Sequence, residues 1–130
     1  MMNIKGKPGR YELISGENYK LTGSQDVSSE GLTPVELLES SLGLCTLVVT
    51  NRMLKRDGYE NVEVEVTVKG EKATEGPPRV ERLELSVSFS GQELDENYRK
   101  KLVKSAEKAC TIGNTLRNGT SVTVTDTSGK

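Results

Sequence analysis

The feature that most constrains the fold is a long apolar stretch from residue 33 to residue 57, framed by helix start and stop signals. Thr33, Pro34 and Glu36 match a capping box, in which Thr33 is the N-cap and Glu36 reaches back to its backbone N–H. Two basic residues stand in the predicted last turn, and Gly58 follows it, as is usual at a helix C-terminus. The pattern predicts a central helix over residues 33–57, of which about 23 helical residues would span roughly 34 Å.

This helix is predicted to be buried on most of its sides. Between Leu37 and Leu54 only Glu39 and Arg52 are charged, and apolar residues occur nearly all the way round the helix. Hydrophobic residues make up only 33% of the chain, with one Phe and no Trp. Aliphatic side chains, or a partner subunit, must therefore complete the core.

Two alternating segments predict a hairpin within residues 60–90. Valine occupies every second position from 62 to 68, and apolar residues alternate again from 83 to 89. Gly-Pro-Pro at 76–78 places a long loop between the two segments. We therefore expect the two strands to pair antiparallel.

The remaining segments complete an α+β pattern. Residues 1–32 predict two short strands, at 11–14 and 19–21, followed by a polar loop. A second helix is predicted over residues 94–117 and a last strand over residues 120–126. At 130 residues the whole chain fits a single domain of ordinary size.

The second helix is predicted to be amphipathic. Basic side chains form its solvated face, and Gly113 is expected to interrupt it near its end. Its apolar side is formed by residues that recur every four positions, namely Leu94, Tyr98, Leu102, Ala106 and Cys110.

Charge and hydropathy exclude several classes of partner. The net charge is −1, from 18 basic and 19 acidic residues, so the chain has no basic excess to neutralise nucleic-acid phosphates. No apolar run approaches the roughly 20 residues that span a bilayer. The N-terminal residues do not resemble a signal peptide, and we expect a cytoplasmic protein without a membrane span.

The chain contains no histidine. This excludes Cys-His and Ser-His catalysis and removes the commonest metal ligand. A structural zinc site would have to be completed by carboxylates, so we expect neither a metal nor another cofactor.

Chemistry therefore centres on the two cysteines, Cys45 and Cys110. In a reducing compartment, two such residues are either inert core side chains or redox-active thiols, and both interpretations stay open from their positions alone. Cys45 lies mid-helix, away from the field of a helix N-terminus. Any activation of Cys45 must then come from a cation on another segment.

The segments around both cysteines resemble the OsmC/Ohr family, the osmotically inducible and organic hydroperoxide resistance proteins. The first match is Leu-Thr-Pro-Val-Glu-Leu-Leu at 32–38, followed by Ser-Leu-Gly-Leu-Cys-Thr at 41–46. The second is Ala-Glu-Lys-Ala-Cys-Thr at 106–111, followed by Asn-Thr-Leu at 114–116. The cysteines stand 65 positions apart with the valine-rich hairpin between them, which is also typical of the family.

The resemblance implies a fold and an activity. The fold would be α+β and OsmC-like, an intertwined homodimer in which antiparallel sheets wrap around two central helices. The activity would be a cysteine-based peroxidase that reduces organic, lipid-type hydroperoxides. Cys45 would be oxidised to a sulfenic acid, Cys110 would resolve it as a disulfide, and a dithiol of lipoyl or thioredoxin type would reduce that disulfide.

The sequence departs from the hydroperoxidase pattern in two places. A Glu ten positions before the reactive cysteine is usual in that branch, and here that position is Val35. Glu36 lies on the opposite helix face from Cys45, so we interpret it as a capping residue. Thr111 stands where a Pro usually follows the second cysteine.

The activating cation is predicted only by position. Arg10, in Gly-Arg-Tyr at 9–11, stands where the family's N-terminal strand supplies an arginine, although an ordinary exposed charge is the alternative. Arg52 is about two turns from Cys45 and suits a salt bridge or a subunit contact better. Arg117 follows Cys110 and is expected to be solvated.

Two further functions stay open. The second alternative is a non-enzymatic stress-response dimer that binds a hydrophobic ligand in its inter-subunit cleft. A purely structural domain with two unreactive thiols is the third alternative.

Overall fold

The computed structural model describes residues 1–129 as three helices and five strands. Two compact units are present: the first comprises residues 1–43 and 66–86, and the second comprises residues 44–65 and the chain from Val87 onward. In chain order the elements are β1 (Met2–Lys7), β2 (Arg10–Ser15), β3 (Lys20–Gly23), α1 (Pro34–Arg56), β4 (Glu63–Lys72), β5 (Val80–Ser90), α2 (Glu96–Ala109) and α3 (Thr111–Asn118).

The first unit contains an antiparallel sheet in the order β1-β2-β3. The turn from β2 to β3 is closed by Ser15, whose hydroxyl accepts the backbone N–H of Tyr19 at 3.0 Å, and Asn18 adopts a positive φ of 66° within it. β2 and β3 correspond to the strands predicted at 11–14 and 19–21. β1 was not predicted, because Met2 and Ile4 are its only apolar residues, too few to establish a strand pattern; all six of its residues are exposed.

Helix α1 corresponds to the central helix predicted over residues 33–57. The capping box is present: the Thr33 N–H donates to Glu36 Oε1 at 2.9 Å, and the Glu36 N–H donates to Thr33 Oγ1 at 3.1 Å. Glu36 is therefore a capping residue, as its position on the helix indicated. At the other end Gly58 adopts a φ of 88°, which reverses the chain after the last turn.

Strands β4 and β5 form the predicted hairpin as a two-stranded sheet. The Ala73 N–H donates to the Arg79 carbonyl at 2.9 Å and closes the loop between them. A connection this short requires antiparallel pairing. Val64 is buried and the next alternate valines are half-buried, whereas the intervening polar residues are exposed.

The second helix differs from the prediction, because it is two helices that meet at Cys110 rather than one interrupted at Gly113. Cys110 has φ −76° and ψ 112°, an extended conformation that ends α2 and begins α3. The sulfur of Cys110 then accepts a backbone N–H of the new helix, as an N-cap side chain does.

The strand predicted over residues 120–126 is wrong. Residues 119–129 have no regular structure, and the side chains of Val122 and Val124 are 80% and 91% exposed. An alternating pattern forms a strand only where a neighbouring strand accepts its backbone groups, and no strand within residues 1–129 pairs with this segment.

The core of the second unit is where the cysteines lie. An aromatic contact lies beside this core near the end of α1. The ring centroids of Tyr59 and Tyr98 are 5.0 Å apart, and the Tyr98 hydroxyl donates to Asp57 Oδ2 at 2.6 Å. The most buried side chains of the second unit are Thr50, Leu54, Leu94, Leu102, Ala106 and Cys110.

No helix of residues 1–129 is both long enough and apolar enough to cross a membrane. The assignment of residues 1–130 to one domain stays a prediction.

Candidate redox site

Cys45 lies on the half of α1 that belongs to the second unit. It is half-buried and is a free thiol. Thr46, the next residue, is buried, whereas Leu44 on its other side is 62% exposed. Cys45 therefore stands at the boundary between the packed and the open face of α1.

Cys110 lies at the N-cap of α3 and is only 2% exposed. Its sulfur accepts the backbone N–H of Gly113 at 3.3 Å, and its carbonyl accepts the N–H of Asn114 at 2.9 Å. The bond from Asn114 closes the first turn of α3. The bond from Gly113 gives a partner to one of the N–H groups that the start of a helix leaves without one. Cys110 therefore points its sulfur at the positive end of this helix.

The structure brings the two predicted cysteines together. The hydroxyl oxygen of Thr46 lies 3.8 Å from the sulfur of Cys110, and the thiol of Cys45 is near enough to that sulfur to contribute to its lowered pKa. The sequence positions of the two cysteines did not predict that they would be close. In the second unit the middle of α1 packs against the start of α3.

The environment of Cys110 favours its thiolate. Burial raises the pKa of the thiol, but the hydrogen bonds that the sulfur receives lower it, and the net pKa lies below the usual value. The donors, in order of effect, are the backbone N–H of Gly113, the thiol of Cys45, the hydroxyl of Thr46 and the backbone N–H of Ile112.

Arg117 is exposed, as expected of a solvated charge, and it also lies beside this site. Its Nη2 donates to the Glu107 carbonyl at 2.9 Å and to Asn114 Oδ1 at 3.0 Å. A Cβ at Gly113 would stand 3.2 and 3.3 Å from the two terminal guanidinium nitrogens and 3.5 Å from the Cys110 sulfur. The sequence does contain one indication of this position: Arg117 follows Cys110 by seven residues, which is about two turns along the same face of a helix.

The other predicted residues lie elsewhere. Arg10 is exposed at the start of β2, in the first unit, so its role toward Cys45 stays a prediction. Arg52 is exposed on α1. Val35 is half-buried, and Glu39 on the same helix accepts the Gly70 N–H at 2.7 Å, which ties α1 to β4 in the first unit.

Residues 1–129 contain no group of three or more His, Cys, Asp or Glu side chains arranged to hold a metal ion. The second unit does contain two free thiols of unequal exposure, and the segments that carry them meet where Thr46 approaches the Cys110 sulfur. Such a pair is chemically suited to cycling between dithiol and disulfide.

Comparison with known proteins shows the family of this chain. The family model described as OsmC-like protein matches residues 25–125. An uncharacterized protein of Mycobacterium tuberculosis (strain ATCC 25618 / H37Rv) is 36% identical over 107 residues, which cover 78% of this chain and 76% of that protein. These two matches confirm the resemblance that the cysteine segments indicated.

Solved structures are similar to the chain in fold. An OsmC-like protein from Mycoplasma pneumoniae has a TM-score of 0.76 at 20% identity, covering 90% of this chain and 87% of that one. The organic hydroperoxide resistance protein OhrB of Bacillus subtilis has a TM-score of 0.64 at 14% identity, covering 92% and 90%. The predicted α+β, OsmC-like fold class is confirmed.

Proposed function

Because this chain belongs to the OsmC-like family, we propose that it is a thiol-dependent peroxidase that reduces organic hydroperoxides through Cys45 and Cys110. The observation that carries the proposal is that the segments of the two free cysteines meet: the hydroxyl of Thr46, the residue after Cys45, lies 3.8 Å from the Cys110 sulfur. Two thiols held in one such site can form a disulfide without unfolding either helix, which thiols far apart in a core cannot do. The name of the similar Bacillus subtilis structure, an organic hydroperoxide resistance protein, supports the substrate class.

The unequal exposure of the thiols supports their roles. Cys45 is half-buried and can meet a substrate, whereas Cys110 is 2% exposed and is screened from one. In the proposed reaction the Cys45 sulfur attacks the terminal peroxide oxygen and the O–O bond breaks. Cys45 becomes a sulfenic acid, and the alkoxide leaves and takes a proton to become an alcohol.

The second half of the cycle uses Cys110. Its thiolate attacks the sulfenic sulfur of Cys45, the S–S bond forms, and hydroxide leaves and is protonated to water. A dithiol reductant, of lipoyl or thioredoxin type, then returns two electrons and two protons to the pair and becomes a disulfide itself. Arg10 stays a candidate cation for this reaction, to be tested in the same assay.

A homodimer is part of the proposal. Leu44 and Val48 are 62% and 40% exposed on consecutive turns of α1, next to Cys45. An exposed apolar stripe on a helix that is otherwise packed is typical of a subunit interface. The same two side chains favour one alternative, a non-enzymatic dimer that binds a hydrophobic ligand there.

The experiment measures consumption of cumene hydroperoxide with dihydrolipoamide as the reductant. We expect turnover by the wild type and none by Cys45→Ser. Without the reductant, Cys110→Ser should consume no more than one equivalent and stop at the Cys45 sulfenic acid, whereas the wild type should stop at the disulfide. Ser40→Ala, an exposed position on the same helix, is the control and should retain turnover. Unchanged consumption by Cys45→Ser would exclude the peroxidase, and native mass spectrometry of protein purified from cells would then test the ligand-binding alternative.

A further inference from the structure

We infer that the second unit binds the anion of a free fatty acid in a groove between the end of β5 and α2. The groove has a volume of about 730 Å³, which is in the range of small-molecule sites, and all of its lining residues belong to the second unit. Neither cysteine lines it, so it is separate from the redox site. The inference therefore goes beyond the proposed peroxidase and does not depend on it.

The floor of the groove is apolar. Val87 and Phe89, at the end of β5, are half-buried and alternate with exposed serines. Val103 lines the same groove from α2 and is 39% exposed. These three side chains form the floor. Because apolar surface that stays in contact with water is unfavourable, the floor favours a ligand with an alkyl chain.

The rim of the groove is basic. Arg99, Lys100, Lys101 and Lys104 line it together with the polar Asn97, and no acidic residue within 1–129 does so. The chain as a whole has a net charge of −1, so this surface is a local concentration of positive charge. An anionic head group is attracted to such a rim. An apolar floor with a basic rim is complementary to an alkyl chain that ends in a carboxylate.

Two of the lysines have no carboxylate partner along their helix. Lys100 pairs with Glu96 at 3.2 Å, one turn before it. The equivalent positions before Lys101 and Lys104 are Asn97 and Lys100, and no salt bridge within residues 1–129 includes either lysine. Like charges four positions apart, as at Lys100 and Lys104, destabilise a helix. A carboxylate bound beside them would offset that repulsion.

An adjoining recess indicates the orientation of the ligand. It has a volume of about 250 Å³, shares Arg99 and part of the floor with the groove, and is also lined by Glu93. A ligand carboxylate would be repelled by Glu93, so the head group lies at Lys101 and Lys104 and the alkyl chain covers the floor. The apolar surface lies in a concave groove rather than on a projecting helix, which favours one alkyl chain over a membrane surface.

The test is isothermal titration calorimetry of the full chain with decanoate, below its critical micelle concentration and at low salt. We expect one decanoate per chain, with an affinity that falls as salt is added. Decyltrimethylammonium has the same chain with a positive head group, and acetate has the head group alone. Both should bind at least about tenfold more weakly. Equal affinity for decanoate and decyltrimethylammonium would overturn the inference.

Variants at exposed positions locate the site without placing the fold at risk. The double variant Lys101→Glu/Lys104→Glu should bind decanoate at least about tenfold more weakly. Lys5→Glu/Lys7→Glu, on the exposed strand β1, makes the same charge change in the first unit and should leave the affinity within about twofold. Val103→Thr keeps the shape of the floor but adds a hydroxyl, and should also weaken binding. Equal losses in the two lysine pairs would overturn the assignment to this groove.

Two further measurements separate this inference from its alternatives. Cosedimentation with phosphatidylglycerol vesicles tests a membrane surface as the occupant. Binding to vesicles without binding of decanoate would overturn the inference, and so would the absence of both. Cys45→Ser, which removes the proposed peroxidase, should bind decanoate as the wild type does, because Cys45 does not line the groove. Loss of decanoate binding in Cys45→Ser would contradict a site separate from the cysteines.

Discussion

The hydroxyl oxygen of Thr46 lies 3.8 Å from the sulfur of Cys110, although 64 positions separate the two residues in the chain. This contact holds the middle of α1 against the start of α3. It also brings Cys45, the neighbour of Thr46, near enough to Cys110 to help lower the pKa of the Cys110 thiol. The proposed chemistry depends on this contact, because it brings the segments of two cysteines that are distant in sequence to the same place.

We predict that alanine at Gly91, in the connection from β5 to α2, lowers stability more than alanine at Gly58. Gly91 and Gly58 both have φ +88°, which is unfavourable for any residue with a Cβ. A Cβ at Gly91 would lie 2.4 Å from the Asn61 carbonyl oxygen, whereas nothing lies within 4 Å of one at Gly58. Gly58→Ala should cost about 1 kcal/mol, and Gly91→Ala at least about 1 kcal/mol more, since backbone must shift.

Urea unfolding of the two variants measures this difference. Gly58→Ala is the matched control, because it carries the strain of the positive φ without the clash. Equal free energies of unfolding for Gly58→Ala and Gly91→Ala would contradict the close approach of Gly91 to Asn61.

Tyr98 predicts a loss of stability at high pH. Burial, and the hydrogen bond that its hydroxyl donates to Asp57, raise its pKa to about 12. The folded state therefore favours the protonated phenol, and this contribution is complete below the ordinary pKa of about 10. It is lost as the pH rises from about 10 to about 12.

The measurement is tyrosinate absorbance against pH, combined with unfolding at each pH. Tyr98→Phe should remove the titration step of highest midpoint and flatten the fall in stability above pH 10. Tyr19→Phe, at an exposed position, should leave that step in place. A highest step that survives in Tyr98→Phe contradicts the assignment.

The proposed dimer is tested by two valines of almost equal exposure. Val48 on α1 is 40% exposed and Val103 on α2 is 39% exposed, so that exposure alone does not distinguish them. If the α1 stripe is the subunit interface, Val48→Glu buries a charge there and should convert dimers to monomers. Val103→Glu is the control and should leave the dimer intact. Sedimentation equilibrium measures the oligomeric state of both variants. A Val48→Glu protein that sediments as the wild type does would exclude this interface.

Much of the fold could be predicted, because it is encoded by local patterns. The capping box at Thr33 and the alternating valines of β4 each specify their own element, whatever lies around them. β1 could not be predicted from periodicity, since its residues are all exposed and pairing with β2 alone defines it. The alternation through Val122 and Val124 is too short and too polar to form a strand without a neighbour.

The candidate site was predictable only in part. The segments around Cys45 and Cys110 identified the family, but their proximity depends on how α1 and α3 pack. The break at Cys110 was missed because cysteine is not among the usual N-cap residues. The spacing of seven placed Arg117 on the same side as Cys110, but its approach to Gly113 depends on α3 beginning at Thr111.

The central claim, that Cys45 and Cys110 act as one redox pair, is tested most directly by adding one equivalent of cumene hydroperoxide to the reduced protein. Peptide mass spectrometry under non-reducing conditions then reads the state of both sulfurs. We predict a single Cys45–Cys110 disulfide, lighter than the two thiols by two hydrogen atoms, formed as the hydroperoxide is consumed. Two free thiols beside unconsumed hydroperoxide, or an oxidised Cys45 with Cys110 still free, would contradict the account.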